Sequence, residues 1–235
     1  DSLGFGFGML LGSLVLSEID FQYIFFGLVI FLITSALFYR KTGDIRIKKN
    51  RVLKFSNLLK TSRTFKIVLL VNTILLFGTN IVDFFGLPLF QKQVLDMSTK
   101  HIFLLLGIAW LIYGAFSRIG GIMYDKYGLK IFFASLFLIA ITSVSLAFVK
   151  DVALFSILLI LDYVFFSFAD PARFALAGFV SRKNKGMLMS LFEFLSIVTA
   201  AIVILFFGKL VDLFGFEFIF ILRGAMQLIS IVLIL

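Results

Sequence analysis

Long apolar runs broken by short polar connections set the pattern of this chain. A continuous apolar run of about 18 or more residues is long enough to cross a bilayer as a helix. Eight stretches approach or exceed that length: 2–17, 21–39, 66–90, 101–119, 130–149, 152–180, 187–207 and 216–235. The runs are continuous rather than alternating and far exceed barrel-strand length. Helices also satisfy every backbone hydrogen bond internally, which lipid demands. The pattern predicts an all-α, polytopic helical bundle in a membrane, with about eight transmembrane helices. The chain opens inside one apolar run, DSLGFGFGMLLGSLVL, and closes inside another, QLISIVLIL, which reads as a piece of a longer protein. No basic segment followed by a short apolar run marks a signal peptide.

Composition sharpens this reading. Hydrophobic residues make up 61% of the chain and charged residues 15%, with a mean hydropathy of +1.12. A soluble domain usually holds about 45–50% apolar and about 25% charged residues, so this much apolar surface needs lipid as its solvent. Cysteine is absent and His101 is the sole histidine. That removes disulfide frameworks, thiolate nucleophiles and nearly every zinc constellation, so neither a metal site nor a cofactor is expected. His101 itself reads as a solvated residue at a loop edge.

Charge placement sets orientation. Segment 39–66 carries ten basic residues: Arg40, Lys41, Arg46, Lys48, Lys49, Arg51, Lys54, Lys60, Arg63 and Lys66. The connection 118–130 adds Arg118, Lys126 and Lys130, and 181–186 adds Arg182, Lys183 and Lys185. The alternate connections hold only Lys92, Lys100, Lys150 and Lys209. Sixteen basic residues against four, alternating loop by loop, predict that the three basic connections are cytoplasmic. The net charge of +9 is therefore a topology signal and a contact to anionic lipid, not a nucleic-acid patch. Segment 39–66 is also the one long polar stretch, which divides two helical bundles. GSLVLSEIDFQYIFF from Gly12 resembles GKLVDLFGFEFIFI from Gly208, six spans later, as a parallel repeat would.

Between two apolar runs lies GIMYDKYGLK, residues 121–130. Helix four is expected to end near Gly120 and Gly121, small residues that let neighbouring backbones approach. Gly128 permits a tight reversal through positive φ, and Lys126 and Lys130 hold the turn at an anionic surface. Asp125 faces the negative end of its own helix dipole and needs a partner. Gly121, Asp125, Lys126, Gly128 and Lys130 fit Gly-x-x-x-Asp-(Arg/Lys)-x-Gly-x-(Arg/Lys), which closely resembles the cytoplasmic-loop signature of the major facilitator superfamily. GLPLFQKQVLDMS at 86–98 resembles that family's exit from its seventh helix, and ADPARFALAGFVSRKNKGMLMSLFEF at 169–194 its tenth helix, turn and eleventh helix. The resemblance covers essentially the whole chain and implies a partial general-transporter fold, the fifth to twelfth helices. Residues 1–39 would be the last two helices of the N-terminal bundle, 40–65 the basic central loop and 66–235 the C-terminal six-helix bundle. One departure stands out: GFGFGMLLGS keeps Gly4, Gly8 and Gly12 but has Met9 and Ser13 where the family's drug antiporters often carry proline and glycine. The four-residue spacing reads as a helix-packing face.

Charged groups inside a span are functional candidates because lipid makes them costly. Asp162 lies near mid-bilayer, roughly 15 Å along its helix from the outer boundary. Asp170 and Arg173 flank Pro171, expected to kink or break its helix, and read either as a site or as a structural ion pair. Glu193 sits about two turns inside the next span. Asp162 and Glu193 are candidates for proton coupling or substrate contact, with partnered helix packing the alternative. Asn80 and Asp83, near the outer end of the third span, are candidates for cavity lining, with a hydrated vestibule the alternative. Trp110, Tyr113 and Tyr163 are candidates for cavity lining, with lipid contact or packing the alternative. Arg223, in the last span, is expected at the periphery, snorkelling outward.

The resemblance implies a secondary transporter that moves a small solute by alternating access in the plasma membrane, with the Asp125 turn as a latch and proton coupling as a hypothesis. It implies no catalysis. A membrane-embedded hydrolase built on Asp83 and Asp162 and a solute sensor that kept the fold without flux are the rivals.

Overall fold

The structure, a computed structural model, describes residues 2–15, 63–180 and 185–235, with a few helical positions between 29 and 37. Most of the expected second span, the basic segment up to residue 62 and the turn 181–184 lie outside the described residues. Among the described residues there is no strand. The elements are α1 (Ser2–Val15) and α2 (Arg63–Asn80), then a π-helical turn (Ile81–Gly86), α3 (Leu87–Gln93), α4 (Thr99–Tyr127), α5 (Leu129–Phe148), α6 (Val152–Val180) and α7 (Lys185–Ile234).

Among the described residues, five helical stretches are long and apolar enough to cross a membrane: Arg63–Gln93, Thr99–Tyr127, Leu129–Phe148, Val152–Leu176 and Ser190–Ile234. The last is two arms. Gly215, at φ 79 and ψ 171, breaks it in a conformation open essentially to glycine alone, at the point where the sequence places a connection between its last two spans. The expected third span is longer than its apolar run. It begins at Arg63 and continues through the π turn and past Pro88, which directly follows the turn's last hydrogen bond, Leu87 N–H to the Val82 carbonyl.

Local sequence explains the ends. Ser98 caps α4 by accepting from His101 N at 3.3 Å, and Asp151 caps α6 by accepting from Leu154 N at 2.8 Å. His101 is exposed, as the loop-edge reading expects. Gly128, at φ 60 and ψ −139, ends α4 and begins α5 in one residue, the reversal its position in the motif predicts. Helix α4 does not stop at Gly120 and Gly121, however. It runs on to Tyr127, because nothing from 121 to 127 breaks helical hydrogen bonding before Gly128.

The helices pack in a chain of neighbours: α1 on α4, α4 on α6, α6 on α5, α5 on α7 and α7 on α2. Apolar side chains point outward as well as inward; Leu205 is 77% exposed, as expected where lipid replaces water. Small residues set the close approaches. Gly6 is buried against Leu111 of α4, while Gly107 and Gly114 of α4 receive Leu10 and Leu3. Among the described residues this moves the packing face of α1: there Gly4 and Gly8 meet nothing within 4 Å and are exposed. The contact rides on Gly6 and Ser13, two turns apart, instead.

Pro171 does not break α6, which is continuous from Val152 to Val180. It withholds the N–H that would bond the Ser167 carbonyl, four residues back. A Cβ placed on Gly120 of α4 would lie 2.3 Å from that Ser167 oxygen and 2.8 Å from Phe168 Cα. The carbonyl freed by the proline is thus roofed by a glycine on the neighbouring helix. Gly121, one residue on, has nothing within 4 Å.

These adjacent glycines should respond oppositely to alanine. Gly120→Ala forces backbone against backbone and should destabilise by about 1–3 kcal/mol. Gly121→Ala should be neutral or stabilising by up to about 1 kcal/mol, since a helix-interior glycine is the weaker helix former. Thermal unfolding of the purified protein in detergent measures both.

Candidate functional site

Helix α6 carries the site. Asp162 is fully buried; its Oδ1 accepts a 2.6 Å hydrogen bond from Thr142 Oγ1 of α5. Its Oδ2 lies 2.8 Å from a terminal guanidinium nitrogen (NH2) of Arg223, on the second arm of α7. Arg223 is 1% exposed. The expectation that it snorkels outward is wrong, and the reason lies in packing. Gly78 of α2 faces Arg223 Cα and Met226, and Gly224 faces Val144 and the Ala140 carbonyl of α5. Two glycines let this arm wedge between α2 and α5 so closely that its polar face is enclosed. That face is legible in the sequence: Arg223, Gln227 and Ser230 recur at i, i+4 and i+7, and all three are buried.

Asp83 joins this pair. It acts electrostatically with both Arg223 and Asp162, and Tyr163, 2% exposed, stands within the same field. Asp83 is half-buried, yet its Oδ1 is sealed from solvent and has no hydrogen-bond partner among the described residues. It sits on the π turn, ten residues short of Gln93. Asn80, one turn earlier, is 4% exposed and clamps the first arm of α7, donating to Ser196 O at 3.1 Å and to Thr199 Oγ1 at 2.9 Å.

A second polar group lies two turns further along α6. Arg173 holds Asp170 Oδ1 through NH2 at 2.6 Å and Nε at 3.0 Å and donates from NH1 to Asn72 Oδ1 of α2 at 2.8 Å. Tyr113 of α4 donates to Asp170 Oδ2 at 2.7 Å. Aromatic rings join the two groups: Trp110 meets Tyr163 at 5.5 Å and Tyr113 at 5.4 Å, Tyr113 stacks on Phe166 at 5.3 Å, and Phe5 of α1 closes on Trp110 at 5.0 Å. Beside Asp170 and Arg173 lies a narrow cleft whose wall includes Thr79, Phe132, Phe166 and Gln227. Gln227 Oε1 is buried without a hydrogen-bond partner among the described residues.

The structure therefore gathers Asp83, Asp162, Tyr163, Trp110, Tyr113, Asp170 and Arg173 along one side of α6. It leaves Glu193 apart: that side chain is exposed on the first arm of α7, with no hydrogen bond or ion pair among the described residues. Gly121, Asp125, Lys126, Gly128 and Lys130 lie toward the Asp170 end of α6, where Tyr124 shares a core cluster with Ala169 and Ala172, and away from Asp83 and Asp162. Asp125 is exposed with no such partner among the described residues, and Lys126 Nζ lies 5.1 Å from the Tyr127 ring centroid. Sequence reasoning missed Arg223, Thr142, Asn72 and Gln227. The last three are neutral polar residues in apolar runs, and only Gln227 carries a signal, its place on the Arg223 stripe. Among the described residues no group of acids or histidines could hold a metal ion.

Removing one member of a buried ion pair leaves an uncompensated charge and costs about 3 kcal/mol or more. Arg223→Met should therefore lower unfolding stability in detergent by roughly that amount. Pairing it with Asp162→Asn should recover a large part, a coupling that a double-mutant cycle reads directly.

Among curated proteins none matches the chain. The model of the Major Facilitator Superfamily matches residues 1–161 of the 235, from α1 to the residue before Asp162. With its membrane-length apolar helices, that match makes this an integral, multi-pass membrane protein of transporter type, and the chain belongs to the Major Facilitator Superfamily.

Proposed function

We propose that the chain acts as a secondary active permease, moving a small solute by alternating access and drawing on a proton gradient. One observation carries this reading: ionisable groups and aromatic rings converge on α6 at the middle of the bundle, where lipid makes uncompensated charge costly. Asp83, Asp162 and Arg223 lie roughly 10–15 Å along their helices from Gln93, Val152 and Gly215. They share one depth. Two carboxylates competing for one guanidinium form a unit whose charge state can change with pH, which coupling requires. The cleft beside Asp170 and Arg173, mostly apolar with a few convergent polar groups, suits a small amphipathic solute.

In this reading the plasma membrane is the site of action, with the basic connections cytoplasmic, in contact with anionic lipid. The Asp125 turn serves as a latch between bundles. Its exposed carboxylate is free to meet a basic group on the other bundle. In this reading the protein performs no covalent chemistry; Asp162 is paired with an arginine rather than with a second carboxylate across a water.

The test is flux through the full-length gene product reconstituted in liposomes, with an imposed proton gradient and a panel of radiolabelled small solutes. Gradient-driven uptake of at least one solute is expected. It should fall at least tenfold in Asp162→Asn and in Arg223→Gln. Asp125→Asn should slow uptake without abolishing its dependence on the gradient. Saturable binding with no flux for any solute would move the assignment to a sensor.

A further inference from the structure

At the end of α4 opposite the Asp125 turn, the first turns of α4 and α6 leave an open cavity of about 460 Å³ between them. Ligand-sized sites run to about 300–1,000 Å³. The wall changes character with depth. Asp96 and Ser98 of the connection and His101 of α4 form a polar mouth; Leu104 and Ile108 of α4 and Val152 of α6 form an apolar wall. From Ser98 to Ile108 is ten residues of helix, roughly 15 Å. That is half of a hydrocarbon core about 30 Å thick, the depth of one leaflet.

The cavity opens toward lipid and away from the charged centre. Leu104 and Ile108 are exposed, and Ile119 and Ile122, exposed as well, continue the same face of α4. Trp110 and Tyr113 lie on the opposite face, against Tyr163 and Asp170. Helix α1 packs to one side, on Gly107 and Gly114. No lining residue is shared with the cleft beside Asp170 and Arg173.

Among the described residues of the lining, Asp96 alone carries a formal charge, and it is exposed. Ser98 Oγ lies 3.0 Å from His101 Nδ1 and accepts from His101 N at 3.3 Å. With the Ser98 hydroxyl donating to Nδ1, the ring proton stands on Nε2, a donor for a phosphate oxygen. A carboxylate beside such a donor matches a headgroup that carries both signs, and opposes one whose only charge is negative. A primary ammonium brings N–H donors for Asp96 that a trimethylated one lacks.

We infer that this cavity binds one phospholipid with a primary-amine headgroup, its ammonium on Asp96, its phosphate on His101 and an acyl chain along Leu104 and Ile108. In the orientation proposed above, the lipid belongs to the outer leaflet.

Native mass spectrometry tests this on the full-length protein, delipidated in detergent and titrated with phosphatidylethanolamine, phosphatidylcholine and phosphatidylglycerol of identical chains. One phosphatidylethanolamine should be retained about tenfold more strongly than either other lipid, as one hydrogen bond to a charged group allows. Asp96→Asn keeps a residue type that accepts the left-handed backbone found here, φ 49, and should erase the preference. Ile108→Trp fills the apolar wall and should weaken retention of all three lipids; Ile122→Trp, on the same face beyond the cavity, should not. All three variants replace exposed side chains, so thermal unfolding without lipid should match the wild type. Glycerophosphoethanolamine, the headgroup without chains, should not displace the lipid. Equal retention of the three headgroups by the wild type would mean an annular contact only and would overturn the assignment. So would a preference that survives Asp96→Asn, or retention untouched by Ile108→Trp. Displacement by glycerophosphoethanolamine would make this a site for a soluble amine and overturn the lipid.

Discussion

A guanidinium and a carboxylate in the middle of a membrane bundle can be kept only as a pair, and the Asp162–Arg223 contact constrains much of what surrounds it. Lipid offers neither partner a substitute. The helix bearing Arg223 must therefore lie within reach of α6, and Gly78 and Gly224 make room for it between α2 and α5. Thr142 is placed on α5 to complete the carboxylate's hydrogen bonding. Three helices thus share one electrostatic centre, and their relative depth in the membrane is fixed by it.

The second polar group repeats the logic at a different level. Asp170 and Arg173 are close in sequence, so their pairing needs only one helical turn. What ties them to the bundle is the reach outward, to Tyr113 on α4 and Asn72 on α2. Helix α6 therefore contacts α4, α5, α2 and α7 through polar side chains as well as through apolar packing. An element so connected cannot shift without disturbing every neighbour.

The spans of residues 63–235 and the reversal at Gly128 were legible in the sequence because lipid imposes length and continuity that no packing detail can override. Charge alone marked Asp162, Asp170 and Arg173 as candidates. Arg223 was misplaced because a lone arginine in a last span has two solutions, outward to headgroups or inward to an acid. The choice between them is made by glycines on two other helices. Asp83 was set too near the outer end because the apolar run stops at residue 90 while the helix continues to Gln93. The glycine spacing in α1 misled in the same way: Gly4, Gly8 and Gly12 make an appealing stripe, yet the partner on α4 meets Gly6. In each case the missing information was which face a neighbouring helix offers.

The ring cluster over the charged centre has a hub. Phe90 touches Phe155, Phe216 and Phe220, and each of those contacts passes through its one phenyl group. A cluster of independent pairs would lose its contacts one at a time. A cluster that hangs on one ring loses all three together when that side chain turns. Phe90 belongs to α3, which follows directly on the π turn bearing Asp83. The carboxylate and the hub ring are thus mounted on one continuous stretch of helix.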